Sequence, residues 1–132
     1  MKLEKLGAQY TLGSESNLYR KVIKPMAISS DIMCVRVENP VYPGTPDCWV
    51  CDKGNSYWIE LKSRKGKLSE DQCDFIVEAH KNKGRVYVVQ GAMSYDNIWQ
   101  LKVSIYFGRT EGMGAVTTVT TDISFNLFDF LV

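Results

Sequence analysis

Apolar positions along this chain follow two periods. Leu18, Val22, Ile23 and Met26 recur at helical spacing, after Ser14 as an N-cap and Glu15 in the first turn. That pattern predicts a helix from Glu15 to about Ile28, with Arg20, Lys21 and Lys24 on its basic side. Pro25 falls inside the window, where a proline costs about 3 kcal/mol, so a stop or kink is expected near Lys24. Ile32 to Val37 (IMCVRV) reads as a strand. Three prolines and a glycine follow between Pro40 and Pro46, a stiff loop that cannot be helical. The runs CWVC and YWIEL then flank DKGNS, a hairpin signal of β-favouring residues around Gly and Asn.

Ser69 with Gln72 three residues later forms a capping box, and Glu70 and Asp71 load the same turn with negative charge. The helix it starts runs to about Asn82, with Cys73, Ile76, Val77 and His80 inward, and Gly84 ends it. Arg85 to Gln90 (RVYVVQ) is an unbroken apolar run suited to a buried central strand. Ile98 to Phe107 reads as extended, and Val116 to Ile123 is β-branched and favours a strand. The tail SFNLFDFLV, with Phe125, Leu127, Phe128 and Phe130, is apolar enough to dock on the body or on a second subunit. Residues 1–12 read as a loose lead-in. The expectation is an α/β chain, with a central mixed sheet flanked by helices over about 13–90 and a β-rich C-terminal extension over about 91–132.

Length and composition narrow the class. With 132 residues the chain makes one domain, and 45% apolar with 23% charged residues is ordinary for a globular protein. No apolar run is long enough to span a membrane, and MKLEKLGAQY lacks the apolar core of a signal peptide, so a cytoplasmic location is expected. A net charge of +1 argues against a wholesale polyanion binder but leaves room for a local basic patch. Cys48 and Cys51 have CxxC spacing, yet on a strand they face opposite ways, and no second ligand pair accompanies them. The four cysteines are read as reduced thiols packed like small hydrophobes.

The hairpin carries the chemistry. Glu60 and Lys62, two apart on a strand, share a face, and Asp47 reaches that face if the hairpin pairs as expected. Two carboxylates and an ammonium among apolar neighbours are costly without a purpose. A divalent ion supplies one. Asp47, Glu60 and the main-chain carbonyl of Leu61 offer the hard oxygen ligands that Mg²⁺ takes, with Mn²⁺ able to substitute. Such an ion lowers the pKa of a bound water and neutralises a phosphodiester, while Lys62 would orient the water or stabilise the transition state. Lys62, Arg64, Lys65 and Lys67 crowd four cations into six residues, and Lys81, Lys83 and Arg85 form a second cluster. With Arg20 and Lys24 these are candidate phosphate contacts.

Pro46-Asp47, twelve intervening residues and Glu60-Leu61-Lys62 resemble the PD-(D/E)XK nuclease motif. The wider set Gly44-Thr-Pro-Asp47, Trp58-Ile-Glu-Leu-Lys62 and Leu68-Ser-Glu-Asp-Gln72 is similar to the VRR-NUC branch, found in small phage and bacterial proteins. The resemblance implies a restriction-endonuclease-like core and a Mg²⁺-dependent DNA endonuclease, with branched DNA as the substrate in the manner of Holliday-junction resolvases, often as a homodimer. It assigns Asp47 and Glu60 as metal ligands, Lys62 as the catalytic lysine and Gln72 as a helix glutamine near the site, although the capping box explains Gln72 almost as well. Glu15 resembles the family's helical carboxylate, or serves only the helix dipole. The runner-up is a nucleic-acid-binding module on a nuclease scaffold without turnover.

Overall fold

The computed structural model describes residues 10–12, 14–94, 98–111, 117–121 and 126–131. It is an α/β arrangement built on a single mixed sheet. Strand β1 (Tyr10–Leu12) leads into α1 (Glu15–Leu18), a π-helical turn (Tyr19–Ile23) and α2 (Lys24–Ser29), which together form one continuous helical run. Strands β2 (Met33–Arg36), β3 (Cys48–Asp52) and β4 (Asn55–Ser63) follow, then helix α3 (Glu70–Lys81) and strands β5 (Val86–Ser94), β6 (Trp99–Phe107), β7 (Thr110–Glu111) and β8 (Thr117–Thr120). The sheet order is β2-β3-β4-β5-β6-β7. β4 and β5 are parallel and joined across α3, whereas the other neighbouring strands pair antiparallel.

Pro25 is accommodated rather than terminating the helix. Ahead of it the helix widens, so that the Lys24 N–H reaches the Tyr19 carbonyl, and Pro25 sits in the first turn of α2. There its missing N–H is one the turn does not need. Leu18, Val22, Ile23 and Ala27 are buried, and pack with Ile59, Leu61, Val89, Leu101 and Val103 on one face of the sheet. Helix α3 covers the other face. Its capping box is formed in both directions, with the Ser69 hydroxyl accepting from the Gln72 N–H and the Gln72 side chain accepting from the Ser69 N–H. The inward residue of α3 is Ile76, flanked by half-buried Gln72, Phe75 and Ala79. His80 is exposed against Phe107 instead of inward, and Lys83 (φ 61) rather than Gly84 takes the left-handed turn after the helix.

Two segments differ from their sequence reading. Tyr10–Leu12 is a strand, not a lead-in; it pairs with Ala92 to Ser94, continuing along β5 where β4 stops at Gly91. The C-terminal strands are no appendage, because β6 joins β5 over its length and carries β7 and β8 on its far side. The tail docks on the body: Leu127, Phe128 and Leu131 are buried, and the Asn126 amide donates to the Met26 carbonyl at 3.2 Å. Those residues are therefore no longer a reason to expect a dimer; Phe130 is half-exposed, and Phe125 lies outside the described residues. No described helix is long and apolar enough to cross a membrane.

The proline-rich loop before β3 is seated on α3 by a glycine. Gly44 has φ 76, and a Cβ there would lie 2.0 Å from the Asp71 carbonyl oxygen. Thr45 closes the loop, its hydroxyl donating to the Tyr42 carbonyl at 2.6 Å. Gly54 also has a positive φ, 90°, but open space around it. Gly54→Ala should therefore lose only the backbone penalty, about 1–2 kcal/mol. Gly44→Ala should lose more in urea unfolding, because its clash is with backbone, and equal losses would show that the loop is not seated on α3.

Candidate active site

The β3–β4 turn fixes everything downstream of it. Lys53 (φ 49) and Gly54 (φ 90) are both left-handed, the geometry of the two-residue turn that matches strand twist. It sets Trp49 opposite Trp58 and Cys48 opposite Ile59, so the next position brings Asp47 opposite Glu60. By strand alternation Asp47, Glu60 and Lys62 emerge on the α3 face, while Ile59 and Leu61 go to the core. Cys48 and Cys51 are split between faces by the same rule, and all four cysteines are free thiols.

Leu61 closes the arrangement through its backbone. Trp58 bonds toward β5, its N–H donating to the Arg85 carbonyl, so odd positions of β4 direct their backbone groups toward β3. Past the end of β3, the residue facing Leu61 is Pro46, which has no N–H to give its carbonyl. The Leu61 N–H donates to Asp47 Oδ2 at 2.7 Å. The carboxylate is thus drawn to the strand end beside a carbonyl without a ladder donor.

Glu60 is 3% exposed. Gln72 of α3 donates from Nε2 to Glu60 Oε1 at 3.1 Å and Oε2 at 3.4 Å, so Gln72 serves cap and carboxylate together. Burial, then the Asp47 charge and a hydrogen bond shared with Asp47, push the Glu60 carboxyl up to about 9, against the pull of Lys62. Glu15, at the start of α1, is also raised; burial dominates, Lys62 lowers it and Asp47 raises it. These mutual influences gather Glu15, Asp47, Glu60 and Lys62 at one end of β4. Among the described residues no three His, Cys, Asp or Glu side chains converge as a metal cage. Any ion here would rest on two carboxylates and a backbone carbonyl, with Glu15 outside direct contact. That donor set is all oxygen and fits Mg²⁺, which keeps several waters.

Beside Lys62 opens a cleft of about 350 Å³ lined by Lys67, Gly66, Gln90, Tyr106 and Arg109. Gly66 lies against the Lys62 stem, where a Cβ would come within 3.1 Å. Gln90 Nε2 donates to the Ser63 and Arg64 carbonyls at 3.2 and 2.8 Å, holding the start of the basic loop. Of the expected phosphate contacts, Lys67 lines this cleft, Lys65 is exposed and Arg64 is half-buried. Arg20 and Lys24 are exposed on the helical run over the opposite sheet face, and Arg20 donates to Asn17; they are not brought to the carboxylate pair. Arg109 was missed by sequence reasoning, since nothing local marks it: it reaches back to Glu70 and Asp74 at 3.1 and 2.7 Å. Arg36 was missed as well, and lies over the Tyr19 ring at 4.8 Å, near enough to Glu15 to lower its pKa.

No protein-family model matches this chain, and no curated protein or solved structure matches it either.

The upward shift of the Glu60 carboxyl makes folding stability depend on pH. Between the ordinary carboxyl value of 4.5 and about 9 the folded protein holds a proton that the unfolded chain has lost. The stability this contributes is full below the lower value and lost as pH rises through the upper one. In chelator-containing buffer, wild type should therefore weaken across that interval, and Glu60→Gln, which cannot ionise, should flatten the decline in urea midpoints. An unchanged slope in the variant would rule out this carboxyl as the cause.

Proposed function

We propose that this protein is a divalent-metal-dependent phosphodiesterase that cleaves DNA, a nuclease of the PD-(D/E)XK kind with a VRR-NUC-like arrangement. One observation carries the reading: Asp47 stands opposite Glu60 at the end of β4, with Lys62 on the same face. The order helix, hairpin, capped helix, parallel strand supports a restriction-endonuclease-like core. In this reading Asp47, Glu60 and the Leu61 carbonyl hold Mg²⁺ or Mn²⁺. When bound, the ion supplies Lewis-acid activation of water and neutralises charge on the phosphodiester.

The chain's own residues do the rest. Gln72 fixes the Glu60 carboxylate by its amide, and the Leu61 N–H fixes Asp47, so both are aimed before substrate arrives. Lys62 holds the attacking water or donates to the phosphate oxygen on which charge develops. Glu15, from the helix over the strand end, orients water at the outer side of the site. Lys67, at the rim of the neighbouring cleft, takes a flanking phosphate, as do Lys65 and Arg64 in the same loop. The internal hydrogen bonds of both carboxylates favour one other reading, a nucleic-acid-binding module without turnover.

Cleavage separates the two. With Mg²⁺ or Mn²⁺, wild type should cut plasmid, single-stranded or four-way-junction DNA, and Asp47→Ala or Lys62→Ala should lower the rate by about 10²–10⁴-fold. If wild type cuts none of these, or both variants cut as well as it does, the enzyme assignment fails. A binding module should also show no metal site destroyed by Glu60→Ala in a calorimetric titration.

A further inference from the structure

Two residues before Glu60, on the same face of β4, lies a cleft that the proposed reaction does not use. It has a volume of about 260 Å³ and is lined by Tyr42, Trp58, Phe75, Ala79, Glu78 and Asn82. Phe75 meets Tyr42 edge-on at 5.6 Å and 89°, and Trp58 at 5.4 Å and 83°. Trp58 and Phe75 are half-buried, while Tyr42 is 58% exposed. The rim is polar, with the Asn82 amide donating to the Glu78 carbonyl at 2.9 Å beside the Glu78 carboxylate. Aromatic lining and an amide–carboxylate rim suit a planar heterocycle with hydrogen-bonding edges.

The placement selects the occupant. Trp58 and Glu60 are two positions apart on the strand, a distance of about 7 Å. Phe75 follows Gln72 by one helical turn, so both project from the same side of α3. Tyr42 belongs to the loop that Gly44 seats on α3 and that ends in Asp47. The three elements that hold the carboxylates therefore also build the cleft, within reach of one nucleotide. We propose that this cleft takes up a single unstacked nucleobase of the DNA strand being cut, which directs the protein to unpaired or frayed DNA. The inference rests on the phosphodiesterase reading for the identity of its substrate. Phosphate contacts do not read bases, whereas a base held in a duplex hides its face; extrusion is least costly where pairing is already broken.

The test is binding in chelator, without turnover, of a short oligodeoxynucleotide carrying 2-aminopurine, free or paired with its complement. Tyr42→Ala should weaken single-strand binding by roughly tenfold or more, abolish the 2-aminopurine emission change, and leave duplex affinity and salt slope unaltered. Tyr42→Phe should restore the single-strand preference. Lys67→Ala should instead weaken both forms and reduce the salt slope by about one. The proposal is overturned if wild type does not bind the single strand, or if Tyr42→Ala affects neither form or both equally. Should single-strand stacking persist in a protein that cuts nothing, the phosphodiesterase reading fails and the base cleft stands. Should cleavage be intact with no Tyr42 effect, the cleft inference alone fails.

Discussion

The register of one hairpin decides which charged groups of this molecule meet. With Trp49 paired to Trp58, Asp47 and Glu60 meet across the strands on the α3 face. A slip of one residue would send Glu60 and Lys62 into the apolar core and bring Ile59 and Leu61 out, because side-chain direction has a period of two. Two left-handed residues at the turn guard the register at one end. At the other end the ladder stops at Pro46, and the Asp47 carboxylate takes the strand donor that the ladder no longer uses.

Bringing two carboxyl groups together out of water is unfavourable, and the surrounding structure shows how it is tolerated. A proton on Glu60 removes the repulsion at neutral pH, which is what its raised value expresses. Lys62 offsets part of the charge, and the Gln72 amide satisfies the buried oxygens. A divalent ion would replace the proton and relieve the same repulsion. The two carboxyl groups are thus held by hydrogen bonds from two directions, the strand backbone and the capped helix.

That dependence explains the loop and helix around it. Gly44 allows the proline loop to approach the backbone of α3 at Asp71, so the loop bearing Asp47 and the helix bearing Gln72 share one position. Helix α3 follows β4 and returns the chain to the parallel strand β5, placing its first turn over the end of β4. The helical run over the opposite face brings Glu15 to that end from the other side.

Much of this was legible in the residues. The hairpin, the capping box and the spacing of Asp47, Glu60 and Lys62 are local signals, and local signals report strand alternation and helix caps directly. The first helix was readable from its apolar stripe, but its passage through Pro25 was not, since a widened turn leaves no mark in residue type. Tyr10–Leu12 as a strand, the insertion of β6 to β8 into the main sheet, and the ion pairs of Arg109 were also hidden. Each joins residues far apart in the chain, and no short pattern records which distant edge is free. The sequence by itself determined which side chains share the face of β4, because a period of two admits no other answer. Only the tertiary structure decided that Glu15, Gln72 and the Tyr42 loop meet that face, because their approach is fixed by packing of separate elements.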